Sequence, residues 1–169
     1  MDINDLLDDI FLEVRTEVEE SIDNNFRSES FFLTDEWPRA VHKKVGQGLL
    51  IGDTIRLRRS LSINREENGV RITSDVAYAD LHNSGGIIPV TPGFRKMAWA
   101  KFKESQKADP EGIGDVFFKN LALTTKTSIT IPQRQFVGDH PKLDEEIDNI
   151  VFDNVKPFVD NLVRQKFRV

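Results

Sequence analysis

Apolar residues recur at helical spacing from the start of the chain: Ile3, Leu7, Ile10, Val14, Val18 and Ile22 fall three or four positions apart, and Leu6 and Phe11 widen the stripe. That period puts them on one side of an amphipathic helix of about six turns, whose other side is nearly all acidic. The pattern breaks over residues 24–48, where Trp37-Pro38 reads as a turn or a helix start and Gly46 and Gly48 as punctuation; a loop with one short helix is expected there. A period of two then takes over. Leu57, Leu61 and Ile63 predict a strand over residues 57–64, and Val70 and Ile72 alternate with polar neighbours after Asn68-Gly69, a pair that favours a tight hairpin turn.

A short helical turn is expected over residues 76–82, ended by Gly85-Gly86 before an extended segment at 87–92 bounded by proline. Met97, Ala98, Trp99 and Phe102 lie among Arg95, Lys96, Lys101, Lys103 and Lys107, the pattern of a basic amphipathic helix of about three turns. Residues 109–115, with Pro110, Gly112 and Gly114, read as a flexible loop, and the Thr- and Ile-rich stretch 124–131 as a strand that stops at Pro132, where a ladder donor is missing. Pro141 opens a last helix on Leu143, Ile147, Ile150, Val151, Phe158 and Leu162, which Pro157 is expected to kink or divide. Helices at both ends with strands between them predict an α+β fold. One domain is expected over residues 1–169: an acidic helix over 1–25, a mainly antiparallel sheet core over 49–139, and a C-terminal helix over 141–166 packed against it.

Composition narrows the function classes. With 38% hydrophobic and 30% charged residues the chain has the means to build a core, and no apolar run approaches a membrane span, so no membrane partner is expected. The acidic start MDINDLLDD is unlike a basic secretory signal, and the chain is expected to be cytosolic when made. The sequence has no cysteine, which removes disulfides, thiolate ligands and cysteine nucleophiles together. The net charge of −5 is unevenly spread: residues 1–25 carry −8, leaving +3 on the rest. Charge runs of this kind usually face water, so a solvated helix face is the first expectation; the alternative is that the acidic helix of one subunit meets a basic face of another.

Candidate chemistry is sparse. His42, His82 and His140 include no pair at the spacing that puts two ligands on one helix face, so no metal is expected. Tyr78, Asp80 and His82 could form an acid/base group, yet no nucleophile stands in a suitable context beside them. The simpler expectation is that Tyr78 packs with its hydroxyl satisfied while His82 caps a turn or bonds backbone. Gly46, Gly48 and Gly52 are followed by no Lys-Ser or Lys-Thr pair, so the phosphate-cradling loop of nucleotide enzymes is not expected. Neither catalysis nor a cofactor is expected. Arg56, Arg58 and Arg59 are the densest basic cluster; on a strand Arg56 and Arg58 would share one face. Pairing with carboxylates across a subunit interface is their expected use. A DNA-binding module using these arginines and the basic helix is the alternative from another class.

Three stretches in order carry a resemblance. LLIGDTIRLRRSL over 49–61, preceded by an aromatic stretch with Trp37, is similar to an "iLxxTGxLrrSi" segment; YADLHNSGG over 78–86 to "YAxiHnxGg"; and ITIPQRQFVG over 129–138 to "itIPaRpFlG". Together they span about residues 31–139 and resemble the phage virion morphogenesis proteins, the Mu-like tail-completion or neck proteins. Ile55 stands where that family usually has Gly, Gln133 and Gln135 replace a small residue and a Pro, and the basic helix over 94–107 reads as an insertion relative to shorter relatives. The resemblance implies a non-enzymatic subunit of the head-to-tail junction that completes or joins the tail as a ring of its own copies, six or twelve being the expected stoichiometries. Tail terminator and head-closure protein are close variants. The implied partners are further copies, neighbouring connector and tail proteins, and DNA touched non-specifically in the channel. The implied place is the virion neck or tail, assembled in the bacterial host cytoplasm from a phage or prophage gene. Within the third stretch, Arg134 and Phe136 are expected to be structural, the ring packed under a strand and the guanidinium tied to backbone carbonyls or a carboxylate.

Overall fold

The computed structural model describes residues 2–39, 50, 55–66, 69–108 and 113–166. His42, Gly46, Gly48, Gly52, Asn68, most of the first half of the 49–61 stretch and residues 109–112 of the expected loop lie outside the described residues. In chain order the elements are α1 (Ile3–Ser28), β1 (Ser30–Phe31), β2 (Asp35–Glu36), α2 (Arg56–Arg59), β3 (Leu61–Glu66), β4 (Gly69–Ser74), α3 (Ala79–Ser84), β5 (Gly86–Pro89), α4 (Pro92–Ala108), α5 (Ile113–Leu123), β6 (Ser128–Ile131) and α6 (Pro141–Lys166). The fold is α+β, with a long helix at each end and its strands in antiparallel pairs, β1 with β2, β3 with β4 and β5 with β6. The chain divides into two compact units, one formed by Met1–Ser84 with Gln133–Val169 and the other by Gly85–Pro132.

In the first unit, α1 begins where Asp2 accepts from the Asn4 and Asp5 backbone N–H groups at 2.7 and 2.9 Å, while the Asp5 carboxylate accepts from the Asp2 N–H at 2.8 Å. This reciprocal cap satisfies donors that a helix start leaves open. Glu29 ends the helix in the left-handed conformation, φ 52°. The apolar stripe buries Leu6, Val14, Val18, Ile22 and Phe26, whereas Ile3 and Leu7 stay exposed. The core joins that stripe to Trp37, Leu57, Ile63, Val76, Ala79 and Phe136, with Leu143, Ile147 and Ile150 of α6 packed at its edge.

Four expectations need correction. Trp37 does not start a helix: its backbone N–H donates to the Glu29 carbonyl at 2.7 Å, continuing the β1–β2 pair, and its buried indole meets the Phe26 ring edge-on at 5.7 Å. The strand over 57–64 is a helical turn followed by a strand from Leu61. The turn sends Leu57 into the core and is closed by the Ser60 N–H reaching the Arg56 carbonyl at 2.9 Å. Arg56 and Arg59 therefore lie one turn apart on a helix, where the strand reading had paired Arg56 with Arg58. Pro157 does not divide α6, which runs unbroken through it. Pro157 and Asp153 are both exposed there, so water can take the carbonyl that proline leaves without a donor. Last, the 109–115 loop gives way to helix from Ile113.

The second unit is a helical hairpin on a two-stranded base. β5 and β6 pair from Gly86↔Ile131 to Pro89↔Ser128. The Thr91 hydroxyl accepts from the Phe94 N–H at 3.1 Å at the start of α4, where proline at the first helical position costs no hydrogen bond. α4 packs on α5; Ala98 of α4 is fully buried, while Met97 and Trp99 are exposed. The Arg95 guanidinium donates to the Thr124 and Lys126 carbonyls, holding the connection back to β6.

Candidate functional site

Residues 133–138 belong to no strand or helix, so their buried backbone groups must find partners outside any ladder. Side chains supply most of them. The Asn83 amide behaves like a borrowed peptide: its Oδ1 accepts from the Phe136 and Val137 N–H groups at 2.9 and 3.0 Å, and its Nδ2 donates to the Val137 carbonyl at 3.0 Å. The Trp37 indole N–H donates to the Gln135 carbonyl at 2.7 Å, and Asn25 Nδ2 to the Phe136 carbonyl at 3.3 Å. Asn25 Oδ1 also accepts from the Phe32 N–H at 2.8 Å, so one buried amide ties α1 to both the β1–β2 turn and this loop. The Arg134 N–H donates to the His82 carbonyl at 2.8 Å. The second and third resembling stretches thus interlock, with α1 and Trp37 closing the other sides.

Two side chains of the loop point inward. Phe136 is 2% exposed and lies 5.1 Å from the Phe26 ring. Arg134 is 7% exposed and its Nε donates to the Pro38 carbonyl at 3.0 Å. Burial pulls the Arg134 guanidinium below its usual pKa and the Glu29 carboxylate opposes that shift; arginine stays charged regardless. Gly138 closes the loop at φ +157°, and a Cβ there would run into the Gln135 side-chain amide.

The acid/base reading does not assemble. Tyr78 is 42% exposed rather than packed, meeting His82 edge-on at 5.8 Å. His82 neither caps nor bonds backbone through its ring: Nδ1 is buried and has no hydrogen-bond partner among the described residues. Burial, and then the positive charge of Arg134, lower its pKa, so the imidazole is neutral at pH 7. The Asp80 carboxylate accepts instead from the Ser84 hydroxyl at 3.2 Å. Among the described residues no group of three or more His, Cys, Asp or Glu side chains could hold a metal ion, and no helix is long and apolar enough to cross a membrane.

The arginine cluster is split. Arg58 pairs with Asp23 on α1, while Arg56 and Arg59 are exposed. Arg65 on β3 pairs with Asp8 and lies over the Phe11 ring at 5.3 Å. Part of the acidic face of α1 is therefore met within the chain by the β3–β4 hairpin and its leading turn. Sequence reasoning did not assign Asn25, Trp37 and Asn83 as the loop's partners, although the resemblance took in Trp37 and Asn83, and Asn25 stands out as a polar residue inside the apolar period of Val18, Ile22 and Phe26.

Searches of the curated proteins and of the solved structures found no match to the chain. A family model does match, over residues 24–156, which takes in α2, the interlocked stretches and most of α6. By that match the chain belongs to the phage virion morphogenesis family, and its role is in the structure or assembly of a phage particle.

Proposed function

We propose that the chain is a non-enzymatic subunit of the neck or tail of a tailed phage, completing or joining the tail at the head-tail junction as a ring of its own copies. The family match over residues 24–156 carries this reading. What the motif side chains do agrees with it. Asn83, Trp37 and Asn25 bind loop backbone, and Arg134 bonds a carbonyl while lying buried. These are positions that hold a shape rather than present reactive groups to a substrate. In this reading the protein is made in the host cytoplasm and resides in the virion, with connector and tail proteins as neighbours and DNA passing through the lumen.

Electron microscopy of the purified protein, with light scattering over a concentration series, tests the reading. Closed rings of one size, formed alone or on adding tail-tube or connector proteins, are expected. A chain that stays monomeric at high concentration with and without those partners would overturn it.

A further inference from the structure

We propose that the outer face of α6 is a contact between two copies of this chain, paired antiparallel about a two-fold axis near Pro157. α6 has 26 residues and an apolar face at helical spacing, yet none of its residues is buried. One side already packs against the core through Leu143, Ile147 and Ile150, and Asn154 on that side donates to Glu13 of α1 at 2.9 Å. Another side carries Phe152, Val155, Val159 and Leu162, spaced three and four residues apart like the seam of a two-stranded coiled coil. Phe152 is 61% exposed even with the Lys156 ammonium 5.5 Å from its ring centre, and Val159 and Leu162 are 46% and 48% exposed. Phe152, Val155 and Val159 line a shallow depression together with Val151, Lys156 and Asp160. A run of this kind on one helix marks a contact rather than a solvated face.

Charge selects the occupant. The first half of α6 holds Asp144, Glu145, Glu146, Asp148 and Asp153 against Lys142, whereas the second half holds Lys156, Arg164 and Lys166 against Asp160. A second copy laid parallel would put acid on acid and base on base. Laid antiparallel it sets the acidic half of each helix beside the basic half of the other, with Phe152 near Leu162, Val155 near Val159, and Asp148 near Lys166. Such a contact is the same patch on both copies, so it closes as a pair. It does not depend on the ring reading, since rings need a second, different surface.

Analytical ultracentrifugation of the full chain should show a dimer that weakens as salt rises. Phe152→Glu with Val159→Glu, both exposed positions, should give a monomer with unchanged circular dichroism, while rings, if they form through other surfaces, persist. Lys166→Glu should raise the dimer dissociation constant about tenfold, and adding Asp148→Lys should restore it. Because the chain has no cysteine, orientation can be read directly. Val155→Cys and Val159→Cys chains should cross-link with each other when mixed and not with themselves. A monomeric parent, a dimer that survives the double glutamate variant, or self-cross-linking of either cysteine variant alone would overturn the proposal.

Discussion

Phe136 shows how one side chain converts a sequence motif into stability. It is an apolar residue in a segment with no secondary structure, and its neighbours' backbone groups are held by Asn83, Asn25 and Trp37 so that the ring can reach Phe26. Phe136→Ala leaves a cavity that this cross-braced loop cannot close, and should cost roughly 3 kcal/mol or more. For a chain of this length that is a fall in Tm of roughly 6–12 °C, and an unchanged melting curve would refute the burial. His82 supplies a pH dependence. Its folded-state pKa lies below the ordinary 6.5, because the charged ring would be buried beside Arg134. Above that pH the imidazole is neutral in both states and contributes nothing. As the pH falls below about 6.5 the unfolded chain takes up a proton that the folded one refuses, so stability drops until the folded pKa is reached. Urea midpoints at pH 7.5 and 5.5 should therefore diverge more in the parent than in His82→Gln. Equal divergence would remove His82 from the account.

At the scale of elements, what could be read depended on length and period. α1 and α6 repeat their apolar positions over many turns, and both appear within a few residues of where the pattern puts them. The β3–β4 pairing was legible from the alternation of Val70 and Ile72 and from Ile63, although its first strand begins at Leu61 and Gly69 stands in β4 opposite Glu66. α2 was not, because Leu57 and Leu61 are four apart and suit a helix as well as a strand; four residues give no further period to decide between them. α5 was missed because Val116, Phe117, Phe118, Leu121 and Leu123 are too dense to show one face. The interlock of residues 133–138 follows no period at all; only the resemblance marked the segment, and its partners lie as many as 111 positions away in sequence. The resemblance also marked Ile55, where relatives usually have Gly. Ile55 precedes α2 at φ 43°, ψ 30°, a left-handed conformation that a β-branched residue adopts at a cost of about 1–2 kcal/mol. Ile55→Gly should thus leave stability unchanged or raise it by up to about 1 kcal/mol, since relief of that strain offsets the entropy glycine loses on folding. A loss of 1 kcal/mol or more in chemical denaturation would show that the side chain's packing outweighs its backbone strain.

At the scale of the whole molecule, the helical hairpin of Gly85–Pro132 leaves and re-enters the first unit at one place. The Arg134 N–H donates to the His82 carbonyl, and the Asn83 side chain binds Phe136 and Val137, so the chain on either side of the excursion is already joined within the first unit. At the base of the excursion Gly86 and Ile131 are paired across β5–β6, about 5 Å apart as in any antiparallel ladder. A gap of that size needs few residues to close, and a short flexible link adds little closure entropy. The first unit also keeps its own core, from Val14 to Phe136, with α6 at its edge. Replacing residues 87–130 by a Gly-Ser linker of about six residues should therefore leave one cooperative unfolding transition and the helical signal of α1 and α6. If the shortened chain instead loses cooperative unfolding, the basic hairpin is part of what folds the first unit and not a separable addition. If it folds, its assembly state becomes informative. Rings that still form would place their contacts on the first unit, and rings that vanish would place them on α4 or α5, where Met97, Trp99 and Phe117 stand exposed among lysines.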